Sequence, residues 1–247
     1  MLLKTLLLML GCLTASGADR PTGDILVFSK TEGFRHDSIE PGVAAVEKLA
    51  AKHGLAVFAT EDSDVFETDV LQGFRVVVFL NTTKDVLAGS QEAALTEFIR
   101  GGGGFVGIHS ATDTEYDWPW YGQLVGAYFD GHPGNPNVRE GVLQVVDSTH
   151  AATCGLPNPW VRTDEWYDFR YVNPNVNVLL LADELSYKRP EEAPSSEAHP
   201  ISWYHEYDGG RAFYTGLGHT SESFAEPLYL DHIWGGIRYA LGETDSP

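Results

Sequence analysis

Short apolar runs alternate with amphipathic stretches along the first half of this chain. Ile25 to Ser29 is an apolar run, and Ser38 to His53 places apolar residues at helical spacing before Gly54 closes the pattern. Leu55 to Thr60 reads as a second strand. Arg75 to Asn81, RVVVFLN, is apolar through its centre, as a strand buried on both faces must be. Gln91 to Arg100 predicts a helix, and Phe105 to His109 the strand that follows it. Such alternation predicts an α/β fold with a mainly parallel sheet and helices on both of its faces.

After Asp113 the pattern loosens. The stretch from Trp118 to Pro136, WPWYGQLVGAYFDGHPGNP, is aromatic and rich in Gly and Pro, which suits a lid or pocket wall better than framework. Strands resume at Gly141 to Val146, Val176 to Ala182, Ile201 to Tyr204 and Arg211 to Thr215, and Pro227 to Leu241 reads as a closing helix. Lys188 to His199, with its Pro and Glu residues, predicts an exposed loop. No linker and no internal repeat interrupts the order, so residues 24–242 are read as one domain.

The first eighteen residues differ from all of this. Lys4, an apolar run from Leu6 to Leu13, and Ser16 and Ala18 before Asp19 have the order of a secretory signal peptide, which predicts a secreted or periplasmic protein. Lipidation at Cys12 fits less well, because Met9 and Leu10 suit that signal poorly. The apolar run falls short of the about 20 residues a spanning helix needs, and no later segment supplies one, so no membrane insertion is expected. Cleavage after Ala18 would leave Cys154 without a partner, and the fold must then hold without an internal disulfide.

Charge narrows the partners. Lys and Arg number 16 against 35 Asp and Glu, a formal net charge of −19, and a surface of that sign repels phosphate backbones and anionic lipid. Nucleic acid is therefore excluded as a partner class, although solubility alone would account for most of the charge. Six Trp and eleven Tyr suit a site that stacks sugar rings, with Trp118, Trp120 and Trp166 as the candidate surfaces and Tyr167 beside them; filling the core is the competing use. Homo-oligomerisation is left open.

Polar clusters fall at strand ends or in adjoining loops, where an open α/β sheet forms its crevice. GGGGFVGIHSATD, Gly101 to Asp113, places His109 where hydrolases of this architecture expose a nucleophile, and imidazole there suits proton transfer or metal binding instead. Asp113, four residues on, is spaced to orient that ring if the strand runs straight into a helical turn. TEGFRHDS, Thr31 to Ser38, brings Arg35 and His36 within reach, although helix capping with a solvated arginine explains the same residues. TDEWYDF, Thr163 to Phe169, sets Asp164, Glu165 and Asp168 among aromatics. His219, in GLGHTS, follows another strand between small residues, and HPISWYH adds His199 and His205. No pair has the spacing of a metal-binding helix, so a metal would need ligands from distant segments. The glycine run precedes its strand, which excludes a dinucleotide site.

Taken in order, GFRHDSI, GGGGFVGIHSATD, DGHP, TDEWYDF and GRAFYTGLGHTS resemble the motif series of the ThuA family, the trehalose-utilisation proteins related in fold to class I glutamine amidotransferases. The resemblance runs from about Ile25 to Leu241. It implies a flavodoxin-like three-layer α/β/α sandwich in which His109 replaces the amidotransferase cysteine. It also implies a carbohydrate-active enzyme that cleaves the glycosidic bond of 3-keto-glycosides or related disaccharides. His109, Asp113, Glu165 and His219 are then the catalytic candidates, and Arg35, His36, His132, Trp118, Trp166 and Tyr167 the substrate-binding ones. A divalent metal held by some of the histidines would assist the reaction. A non-catalytic sugar-binding module and an amidase-like hydrolase are the alternatives.

Overall fold

The computed structural model describes residues 21–192 and 198–243. The predicted signal peptide, and residues 193–197 of the predicted loop, lie outside them.

The chain opens with β1 (Ile25–Phe28), α1 (Ile39–Lys52), β2 (Val57–Thr60), a short α2 (Thr68–Leu71), β3 (Val76–Leu80), α3 (Gly89–Arg100) and β4 (Gly104–Ile108). It continues with α4 (Pro119–Val125), β5 (Ala127–Gly131), β6 (Val138–Val145), β7 (Trp160–Glu165), β8 (Asp168–Val172), β9 (Asn177–Asp183) and α5 (Glu184–Tyr187). The last elements are β10 (Pro200–Tyr207), β11 (Gly210–Thr215) and α6 (Pro227–Ala240). Nine strands form one sheet in the order β2-β1-β3-β4-β11-β10-β9-β6-β7, while β5 and β8 pair separately as an antiparallel ribbon. Pairing is parallel from β2 through β11 and antiparallel beyond it.

Alternation along the parallel strands sorts side chains into two cores. Ile25, Val27, Val76, Val78, Val106, Ile108 and Phe213 face α1 and α6, burying Val46, Ile233 and Ile237. Their neighbours Leu26, Phe28, Val77, Phe79, Phe105, Ala212 and Tyr214 face α3 and α4, burying Leu95, Ile99, Tyr121 and Leu124. A continuous apolar run is what a strand feeding two cores requires, and the three layers follow from it. The glycine run serves packing at the far end of β4. A Cβ on Gly103 would lie 2.4 Å from the Phe98 ring, and one on Gly104 would lie 2.3 Å from the Ala240 carbonyl oxygen.

The stretch expected to be a lid is framework instead. Pro119 opens α4 at a position where its missing N–H costs nothing, and Gly126 ends it at φ +93°. Tyr121, Leu124 and Val125 are buried at helical spacing, so the face they share outweighs the local Gly and Pro content. Among the described residues no helix is long and apolar enough to cross a membrane.

Candidate functional site

β4 and β11 are neighbours in parallel register, with Ile108 beside Thr215, so the segments leaving them emerge together at the carboxyl edge of the sheet. His109 follows β4 with φ +50°, a left-handed backbone uncommon for a side-chain-bearing residue, and is fully buried. Its Nδ1 lies 2.7 Å from the Gly216 carbonyl oxygen just past β11. That carbonyl can only accept, so Nδ1 carries a proton and Nε2 is the nitrogen turned toward the cluster. Nε2 stands 3.2 Å from His219 Nδ1 and 3.4 Å from Glu165 Oε2, and His219 Nδ1 is itself 3.1 Å from the same carboxylate oxygen.

His36 completes the group. Its ring meets those of His109 and His219 edge-on, with centroids 4.9 and 5.0 Å away, and its Nδ1 faces the Ser110 hydroxyl. One donor atom each from His36, His109, Glu165 and His219 lie within 4.8 Å of one another. The tightest three are spaced as the edges of a tetrahedron around an ion bonded at 2.0–2.1 Å, about 3.3–3.4 Å. The donor set of imidazole and carboxylate likewise suits a divalent cation. The residues present therefore fit a metal.

The electrostatics agree. Burial pushes the Glu165 carboxyl up, but hydrogen bonds from His109 and His219, the charge of His109 and the amide of Asn137, 2.5 Å from Oε1, outweigh it and hold the group well below the usual range. Glu165 is consequently an acceptor within the cluster. Burial lowers the His219 imidazole, yet Glu165, Asp164 and Asp37 raise it above its ordinary value. Burial, then the charges of His109 and His219, press His36 down to about 2.

Tyr167 and His132 lie beside the cluster. The Tyr167 ring lies over His109 with centroids 4.1 Å apart, and burial beside Glu165 raises its phenol well above the ordinary value. His132 stands at the rim with its side chain 39% exposed; Nδ1 donates to the Pro133 carbonyl, and Nε2 is 3.6 Å from Glu165 Oε1.

Other candidates go elsewhere. Asp113 is turned from His109 because the five residues after β4 form a 3-10 turn, and its carboxylate accepts from Lys84 Nζ at 2.7 Å and Tyr116 at 2.5 Å. Arg35 is exposed and bound by both oxygens of Glu61 and by Glu40, away from the cluster. Trp166 is core, stacked on Tyr187 and donating to the Arg139 carbonyl. Trp118 stacks on Trp120 and Tyr121 at the start of α4. His199 is tied to Glu184 and to the Tyr167 carbonyl, and the carboxylates of Asp168 and Glu184 beside it are occupied by Lys188 Nζ at 2.9 and 2.6 Å. His205 is buried against the Leu124 carbonyl.

Sequence reasoning missed the support of the site. Asp164 is fully buried, accepts from the backbone N–H of Gly218 and His219 at 2.9 and 3.0 Å, and pairs with buried Arg162 at 2.9 Å. One carboxylate thus fixes the loop that carries His219 beside the strand that carries Glu165. One cleft, of about 450 Å³, lies at the opposite end of β4, around Arg75 and Gly101 to Gly103.

The whole cluster lies inside the range that a family model recognises, the model described as ThuA, trehalose utilisation, which matches residues 24–240. Among solved structures, a thua-like protein from Bacteroides uniformis ATCC 8492 is similar with TM-score 0.75 and 21% identity, over 92% of this chain and 94% of that one. One from Parabacteroides merdae ATCC 43184 is similar with TM-score 0.70 and 20% identity, again over 92% and 94%. A cytoplasmic protein from Salmonella typhimurium shares the fold at TM-score 0.59 and 11% identity, over 88% of this chain and 98% of that one. No protein of curated function matches the chain in sequence.

Proposed function

The chain belongs to the ThuA family, described as trehalose utilisation, and on that footing we propose that it is an exported enzyme cleaving the glycosidic bond of 3-keto-glycosides with the help of a divalent cation. The observation that carries this reading is the convergence of His109 Nε2, His219 Nδ1 and Glu165 Oε2 at separations of 3.1 to 3.4 Å. An imidazole occupies the position where acyl transfer would need a thiolate or alkoxide, which favours chemistry begun by moving a proton. The leader-like first eighteen residues support export.

His36, His109, Glu165 and His219 would hold the cation, which when bound would polarise the C3 ketone of the sugar. His109 has no exposed surface from which to touch a substrate hydrogen, so it serves as a holder and not as the base. His132 takes that part. With Nδ1 committed to Pro133, its Nε2 lone pair accepts the C2 proton that the ketone acidifies; the electron pair forms a C1=C2 bond and the C1–O bond breaks. The same imidazole returns the proton to the departing oxygen. Water then adds across C1=C2, and the free 3-keto sugar leaves. Tyr167 closes the ring face of His109 and Asn137 orients Glu165.

Metal analysis of the purified protein, followed by 3-keto-trehalose and 3-keto-glucosides under mass spectrometric detection, tests this. Stoichiometric metal and release of the free sugar are expected. Glu165→Gln and His109→Ala should lose metal and at least about a hundredfold in turnover, while His132→Ala keeps the metal and loses turnover. Sugar binding without turnover in the wild-type protein would instead identify a sugar-binding module.

A further inference from the structure

The loop that carries His36 also carries Phe34, whose side chain is 65% exposed although its ring packs edge-on against His36 at 4.8 Å. The segment that presents this ring is tied down by hydrogen bonds. Thr31 bridges Thr83, Glu32 N–H donates to the Thr83 carbonyl, Gly33 N–H donates to the Thr83 hydroxyl, and that hydroxyl donates to the Phe34 carbonyl. Thr83 is fully buried, so the exposed ring is presented by a backbone fixed to the core. Val146, Val161, Tyr171 and Leu185, the other large exposed apolar side chains among the described residues, include none in ring contact with the cluster.

Next to Thr83 stands Lys84, at φ +66°. Glycine would hold that backbone without strain, yet a lysine is kept there, locked by its N–H on the Asp113 carbonyl and its carbonyl on the Glu115 N–H. Its stem lies so close to Gly33 that a Cβ there would come within 2.7 Å of it, and its half-exposed ammonium meets Asp113 at 2.7 Å. Tyr116 donates to the same Asp113 and to the Phe129 carbonyl, and the Phe129 ring leads on to Tyr167 at 4.3 Å and to His132 at 6.1 Å. Phe34, Gly33, Lys84, Asp113, Tyr116 and Phe129 thus form a connected series of contacts that runs from His36 to His132.

We propose that Phe34 and the Lys84–Asp113 pair form a second sugar subsite, which binds the leaving half of a disaccharide whose other half is cleaved at the histidine cluster. A sugar ring has an apolar C–H face and a rim of hydroxyls that both donate and accept. The exposed aromatic ring serves the first, and an ammonium beside a carboxylate serves the second. The subsite rests on the glycoside-cleaving reading for what happens after binding, not for binding itself.

Calorimetric titration with trehalose and with methyl α-glucoside tests it, since neither has the C3 ketone and both bind uncleaved. The wild-type protein should bind trehalose at least tenfold more tightly than methyl α-glucoside. Phe34→Ala and Lys84→Gly should each remove most of that difference without lowering the melting temperature, and Phe34→Tyr should restore it. Equal binding of the two sugars, no binding of either, or variants that keep the preference would overturn the subsite. Absence of turnover on 3-keto-trehalose with the preference intact would sink the cleaving reaction and leave the subsite standing.

Discussion

Asp164 and Arg162 are both buried, and each is the other's remedy for lost water. Asp164→Asn leaves the guanidinium with Glu226, 3.3 Å from Nη1, as its remaining anion and should cost up to about 3–5 kcal/mol in urea unfolding. The same variant should lose metal below its melting temperature, because the N–H groups of Gly218 and His219 then face an amide. Sequence could not show this: an acidic strand reads as a surface strand, and only the fold reveals that Asp164 faces Arg162. His109 was picked out by its place at a strand end and Glu165 by the motif TDEWYDF, whereas Asp113 misled because four-residue spacing pairs side chains on an α-helix and the turn here is tighter. His232 offers a separate test. Its Nδ1 donates to the Ala152 carbonyl and Nε2 faces the hydroxyls of Ser202 and Thr215, and burial holds the imidazole down at about 3. Once unfolded it would titrate near 6.5. The folded value being depressed, its contribution is complete above about pH 6.5 and is lost as pH falls toward 3. Thermal melts from about pH 7 to pH 4 should show this slope, and His232→Asn, which keeps a donor for Ala152, should lessen it by one histidine's share while His36 keeps its own.

At the scale of elements, the segments leaving β4 and β11 make the site, and Gly218 sets the second of them. It has φ +113°, and a Cβ there would lie 2.3 Å from the Tyr229 hydroxyl. Gly218→Ala should therefore cost at least 1–3 kcal/mol from backbone strain. It should also reduce turnover beyond what the lost stability explains, because His219 is the next residue; activity assayed well below the melting temperature separates the two effects. β1, β3, β4, α1 and α6 were legible because burial of whole strands or one helical face writes itself as periodicity. α4 was not, since a seven-residue helix shows barely two turns of pattern beside its Gly and Pro. β7 and β8 were hidden by charge that the structure pairs internally.

For the whole molecule, the parallel half of the sheet supplies most of the site and the antiparallel half brings Glu165 to it on β7. An ion gripped from both halves binds the folded chain and not the unfolded one. At a hundred times its Kd it would add about 2.7 kcal/mol, a rise of roughly 5–10 °C in Tm for a chain of this size. A chelator should reverse that rise, and Glu165→Gln should never show it. The same dispersion bears on how the molecule comes into being. The residues that would hold the ion run from His36 near the start of the fold to His219 near its end, and His109 finds the Gly216 carbonyl only when β11 docks against β4. Closing such long loops is the slow part of building any sheet with crossovers. Metal capture should accordingly be the last event of refolding, and a chain paused in synthesis before residue 216 would carry most of its histidines with nothing yet to hold.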